Sequence, residues 1–74
     1  MNKMLKEIIE EINPFDEFDE ETDLLGEGIL DSLSLMIFIE RIEKLLNITI
    51  PESEVTLENF STLNTVLVLI EKIK

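Results

Sequence analysis

The 74-residue chain has no cysteine, no histidine, no tryptophan and no tyrosine. Without cysteine there is no disulfide to staple the fold and no thiolate to bind zinc. Without histidine and cysteine the usual general base and the thiol nucleophile are both missing, which argues against a self-contained hydrolase or transferase. Positive charge is scarce: six Lys and Arg stand against seventeen Asp and Glu, a formal net charge of −11. Such a chain does not replace the counterions of a polyphosphate, so no nucleic-acid partner is expected. The acid excess favours partners with basic docking surfaces, reached by electrostatic steering, and its self-repulsion should cost stability at low salt. No apolar run is long enough to span a bilayer, and Glu7, Glu10 and Glu11 break any leader-like stretch after Lys3 and Lys6. A cytoplasmic monomer with no membrane insertion is expected.

What is present is a 45% hydrophobic composition, enough for a modest core in one domain over residues 1–74. Residues 3–13 predict an amphipathic helix, with Met4, Leu5, Ile8, Ile9 and Ile12 on one stripe. Asn2 is its expected cap, and Pro14 ends it because the residue before a proline avoids helical geometry. Residues 32–46 predict the central helix, with Leu35, Phe38, Ile39, Ile42, Leu45 and Leu46 on the core face. Leu33, Ile37, Glu40 and Lys44 lie nearly opposite, with Met36 toward one edge. Met36 and Ile37 either join Leu33 in a contact patch or pack beneath the preceding loop; periodicity does not separate the two. Ile48 to Pro51 reads as extended, with Ile48 and Ile50 plugging one end of the bundle. Thr56 to Phe60 predicts a short helical turn, Thr56 as cap and Leu57 and Phe60 inward. Residues 63–73 predict the last helix, with Leu63, Val66, Leu67, Ile70 and Ile73 at helical spacing. The expected fold is all-α: a small irregular four-helix bundle of three main helices and one short one, with a long first loop.

That loop, residues 14–31, carries eight carboxylates between Asp16 and Asp31, interleaved with Phe15, Phe18, Leu24 and Leu25. The apolar residues should pin it to the core. Asp16 to Glu27 has the length of a calcium-binding EF-hand loop. Phe18 and Glu21, however, stand where that loop needs an oxygen ligand and a turn glycine. No dedicated metal site is expected, only loose divalent-cation binding by the acidic cluster.

The loop ends in Gly28-Ile29-Leu30-Asp31-Ser32-Leu33. Asp31 is placed to cap the central helix, accepting from its first free N–H groups. Ser32 then falls in the first turn, where orphan N–H groups and the positive dipole end favour a phosphate. Taken alone, Asp-Ser-Leu before a helix is a cap. The hexapeptide resembles the modification site of the carrier-protein family, which includes acyl, peptidyl and D-alanyl carriers. The resemblance runs from about Thr22 to Ile73. It takes in Thr22-Asp23-Leu24, Ile50-Pro51 and Leu57-Glu58-Asn59-Phe60 as well as the motif.

The resemblance implies that Ser32 carries 4′-phosphopantetheine, donated by coenzyme A through a phosphopantetheinyl transferase, with Asp31 supporting the modification. It implies no catalytic residue in the chain itself. The thiol of the arm holds an acyl or aminoacyl group as a thioester, and adenylating ligases or synthases load and use it. The expected docking face is Leu33, Met36, Ile37, Glu40 and Glu43. Carriers of fatty-acid synthesis show acids along that face, whereas Ser34 and Ile37 occupy two such places here. With the Thr56 to Phe60 stretch, this leans toward a free-standing acyl or aminoacyl carrier. Two other classes compete. One is an unmodified acidic helical adaptor for a basic partner protein, which intact mass discriminates. The other is a calcium-modulated acidic module, which a calcium titration discriminates.

Overall fold

A computed structural model describes residues 2–74. Three α-helices form in chain order: α1 (Asn2–Ile12), α2 (Ser32–Leu46) and α3 (Leu63–Ile73), with a 3-10 turn over Glu52–Glu54 between the last two. Helix α1 packs against both α2 and α3. Its buried stripe is Leu5, Ile8 and Ile9, with Met4 and Ile12 half-covered at the margins. Phe38, Ile39 and Ile42 meet it from α2, and Leu63, Val66, Leu69 and Ile70 from α3. Each side chain of this kind, fully buried, stabilises by about 1.5–3 kcal/mol. No helix among the described residues is long and apolar enough to cross a membrane.

The small helical bundle is borne out, and the bounds of α2 and α3 fall where periodicity places them. Several details differ. Asn2 does not cap α1; it lies inside the helix, and its buried Oδ1 meets no donor among the described residues. The fourth short element is the 3-10 turn rather than Thr56 to Phe60. Pro51 sets the entry angle at φ −58°, and the N–H groups of Glu54 and Val55 close on the carbonyls of Pro51 and Glu52. Thr56 to Phe60 is a turn in which Thr56 Oγ1 accepts from Asn59 N at 3.1 Å. Because that turn is not a helix, helical spacing fails to orient it: Phe60 is buried and Leu57 is 75% exposed.

Leu45, expected in the core, is 55% exposed. The chain leaving α2 folds back along the opposite flank, where Ile50 N meets Glu43, so nothing covers the side that Leu45 occupies. Leu69 is buried although it lies outside the stripe expected for α3. In the first loop, Leu24 is fully buried and Phe18 and Leu25 are half-covered, as expected, but Phe15 stands 91% exposed. Its N–H bonds to Asn13 Oδ1, a local turn that sends the ring outward.

Candidate functional site

The segment leading into α2 is held by backbone bonds and two buried side chains. Leu24 N donates to Ser61 O at 2.7 Å, tying the first loop to the entry of α3. Leu30 N donates back to Leu24 O at 3.0 Å. Between them Gly28 sits at φ +76°, a region that a Cβ disfavours even where there is open space around it, as there is here. Ile29 and Leu30 are buried, and Asn13 Nδ2 reaches across from the end of α1 to Ile29 O at 3.0 Å. The chain therefore arrives at Asp31 from a fixed direction.

Asp31 is extended, at φ −100° and ψ −174°, and its Oδ1 accepts from Ser34 N at 2.8 Å. Leu35 N donates to Asp31 O, the first bond of the helix. The Ser34 N–H, and after it the Ser34 hydroxyl, hold the Asp31 carboxyl below the ordinary aspartate range. Ser32 is the first helical residue, and its side chain is exposed. An accessible hydroxyl on a rigid turn, beside N–H groups that precede the first intrahelical bond, fits a phosphodiester.

The expected docking residues share one side of α2 only in part. Leu33, Met36 and Ile37 are 72%, 61% and 42% exposed, so they form an apolar surface patch and do not pack beneath the loop. Glu40 lies beside them, paired with Lys44 at 3.4 Å. Glu43 stands apart: it is half-buried, and its Oε2 accepts from Ile50 N at 2.8 Å, fastening the second connection to α2. Among the described residues no group of three or more His, Cys, Asp or Glu is arranged to hold a metal ion.

The family model for the phosphopantetheine attachment site matches residues 3–70. The chain belongs to that family of carrier proteins. The match extends the resemblance back through α1, beyond the Thr22 start expected from the motifs. A D-alanyl carrier protein of Lactococcus lactis subsp. cremoris is 35% identical over 97% of this chain and 94% of its own length. One from Listeria monocytogenes serotype 4a is 36% identical over 92% and 90%. A chain from the crystal structure of Bradyrhizobium japonicum glycine:[carrier protein] ligase complexed with cognate carrier protein and an analogue of glycyl adenylate superposes with a TM-score of 0.85. It is 23% identical, with 96% and 95% of the two chains covered, so it shares the fold.

Proteins of this carrier family are not enzymes; they are substrates of partner enzymes, and their prosthetic group is covalent 4′-phosphopantetheine. Sequence reasoning missed what three residues do here. Asn13 braces the loop, and Asn-Pro is a recognised turn signal that could have drawn attention to it. Glu43 serves as a backbone clamp, and Thr65 completes a reciprocal cap with Thr62 at the start of α3. The Glu43 clamp carries no signal in the sequence, because it depends on where the chain after α2 returns; Thr62 and Thr65, three residues apart ahead of an apolar run, do carry one.

Proposed function

We propose that Ser32 is the attachment residue and that the chain, as one carrier domain over residues 1–74, bears small aminoacyl groups. The observation that carries this is the position of Ser32: exposed, first in α2, directly after a capping aspartate, within the span matched by the family model. The arm supplies a thiol for a thioester; the chain's own residues orient and present it. Asp31 fixes the turn, and Leu33, Met36, Ile37 and Glu40 offer an apolar patch with an acidic edge. A phosphopantetheinyl transferase would modify Ser32, and an adenylating aminoacyl ligase would load the arm. The aminoacyl cargo is supported by the names of the 35%-identical relatives, which are D-alanyl carriers.

Incubation with coenzyme A and a broad-specificity transferase should add one phosphopantetheine mass to the wild type and none to Ser32→Ala. The helical content of the two should match, since the hydroxyl lies outside the core. A D-alanine-activating ligase with ATP should then add one alanyl mass, removable by hydroxylamine. An unmodified wild type beside a modified control carrier would overturn the reading.

A further inference from the structure

We propose that Asn13 is a positioning residue for the modification of Ser32, acting through the peptide unit that joins Ile29 to Leu30. The inference rests on the reading that Ser32 receives the arm. It gives that reaction a residue from the other end of the first loop. Asn13 is half-buried and anchored by its own backbone, whose N–H donates to Ile9 O at 2.7 Å. Its Nδ2 donates to Ile29 O and to Asp16 Oδ2, both at 3.0 Å, while its Oδ1 accepts from Phe15 N at 3.2 Å. A flipped amide would set Oδ1 against two other oxygens, so its orientation is fixed. Two donors and an acceptor on one short planar group are what asparagine offers; an ionised aspartate has no donor and a serine only one.

The bond to Ile29 O grips one edge of a peptide unit. The Leu30 N–H, on the other edge of the same unit, donates to Leu24 O at 3.0 Å, and Leu24 N in turn donates to Ser61 O. A planar unit held on both edges does not rotate, so the chain leaves it toward Asp31 in one direction. Among the described residues, Asn13 makes the one hydrogen bond that reaches the stretch from Leu25 to Leu30 from outside the first loop. It is also the grip that a side-chain substitution can release. Just ahead lies Gly28, at φ +76° with open space around it, a ready joint once the grip is lost.

The modification depends on how Ser32 is presented. Its Oγ forms a bond to the phosphorus of coenzyme A that bears the pantetheine. The bond from that phosphorus to the bridging oxygen breaks, and the adenosine bisphosphate half leaves with that oxygen. The serine proton passes to a base of the transferase. The hydroxyl must arrive in line with the leaving oxygen. A segment that presents it correctly only part of the time weakens apparent affinity by that fraction and leaves the bound complex unchanged. Loss of the Asn13 grip is therefore read in KM rather than in kcat.

Asn13→Asp keeps the size of the side chain and the acceptor for Phe15 N, and turns both donated bonds into contacts between oxygens. With coenzyme A and a transferase, its KM as carrier substrate should rise about tenfold with kcat nearly unchanged. Hydrogen exchange of the Leu30 amide, measured against Ile42 in the core, should quicken, a readout that needs no arm. Thr62→Ala weakens the α3 start without touching this peptide unit, and should keep both KM and the exchange ratio of the wild type. If Asn13→Asp does not fold, Asn13→Ala, which adds no repulsion, is measured in its place with the same direction expected. An unchanged KM in a folded Asn13 variant, an equal rise in Thr62→Ala, or a loss confined to kcat overturns the positioning role alone. A wild type that gains no phosphopantetheine mass beside a modified control carrier overturns the reading of Ser32, and the role of Asn13 with it.

Discussion

Helices α2 and α3 begin with the same device and put it to opposite uses. At α3, Thr62 Oγ1 accepts from Thr65 N and Thr65 Oγ1 accepts from Thr62 N, both at 3.1 Å, so the cap closes on itself. The first helical residue there, Leu63, is fully buried. At α2 the cap runs one way, from Ser34 N to Asp31, and the first helical residue, Ser32, points into solvent. Side chains take up two backbone N–H groups at the α3 start and one at the α2 start. What also differs is the first helical residue and its surroundings: a buried leucine at α3, a free hydroxyl with an exposed apolar patch beside it at α2. A capped helix start is thus not a site in itself; it becomes one where the fold leaves the first turn uncovered.

The comparison breaks most visibly with charge placed on the two sides of α2. Ile42→Glu buries a carboxylate with no partner and should unfold the domain or nearly so. Ile37→Glu, on the exposed patch, should move stability by no more than about 0.5 kcal/mol. It should instead slow loading by the aminoacyl ligase about tenfold or more, the equivalent of an interface anchor worth 1–2 kcal/mol. Thermal melts and loading rates read the two effects. If Ile37→Glu is as destabilising as Ile42→Glu, the patch belongs to the core and not to a partner.

A second pair acts on the first residues themselves. Leu63→Ser removes a fully buried side chain and leaves a hydroxyl in its place, so a loss of at least about 2–5 kcal/mol is expected in denaturant titrations. Ser32→Leu should leave the denaturation midpoint nearly where it was and abolish modification. A comparable destabilisation from Ser32→Leu would mean that the α2 start is as closed as that of α3.

How much of this contrast was legible in the sequence depends on the range of the forces involved. The bounds of α2 and α3 follow from local rules: a capping residue, then apolar residues at helical spacing. The cap at Asp31 and the place of Ser32 in the first turn follow from the same rules, whereas the reading of Ser32 as an attachment residue comes from the resemblance to the carrier family. What the sequence hides is which helical flank finds cover. Leu45 fits the apolar stripe, yet the returning chain covers the other side. Leu69 lies off the stripe and is buried because α3 sinks deeper than an amphipathic helix needs to. Phe15 and Leu57 sit in turns, where helical spacing carries no information. Glu43 resembled any surface acid until Ile50 N was placed beside it.

The smallest effect separates the caps by their chemistry. Thr62→Ala removes a neutral cap and should cost about 1 kcal/mol. Because neither hydroxyl of that cap titrates in the acid range, the deficit should stay flat from neutral pH to pH 3. The Asp31 cap is charged. Its carboxyl titrates lower in the folded chain than in the unfolded one, chiefly because Ser34 N donates to it. Its contribution is therefore complete above the unfolded aspartate value of about 3.9 and is lost as pH falls through the lower folded value. Asp19, held down by the Glu21 N–H and the Thr22 hydroxyl, adds a loss of the same sign in the same window. Asp31→Asn keeps an acceptor for Ser34 N and removes only the charge. The stability gap between wild type and Asp31→Asn should thus be present at neutral pH and close in acid, while the gap to Thr62→Ala does not. A gap for Asp31→Asn that persists unchanged at pH 3 would show that the carboxylate acts at the α2 start through shape alone, like the threonines of α3.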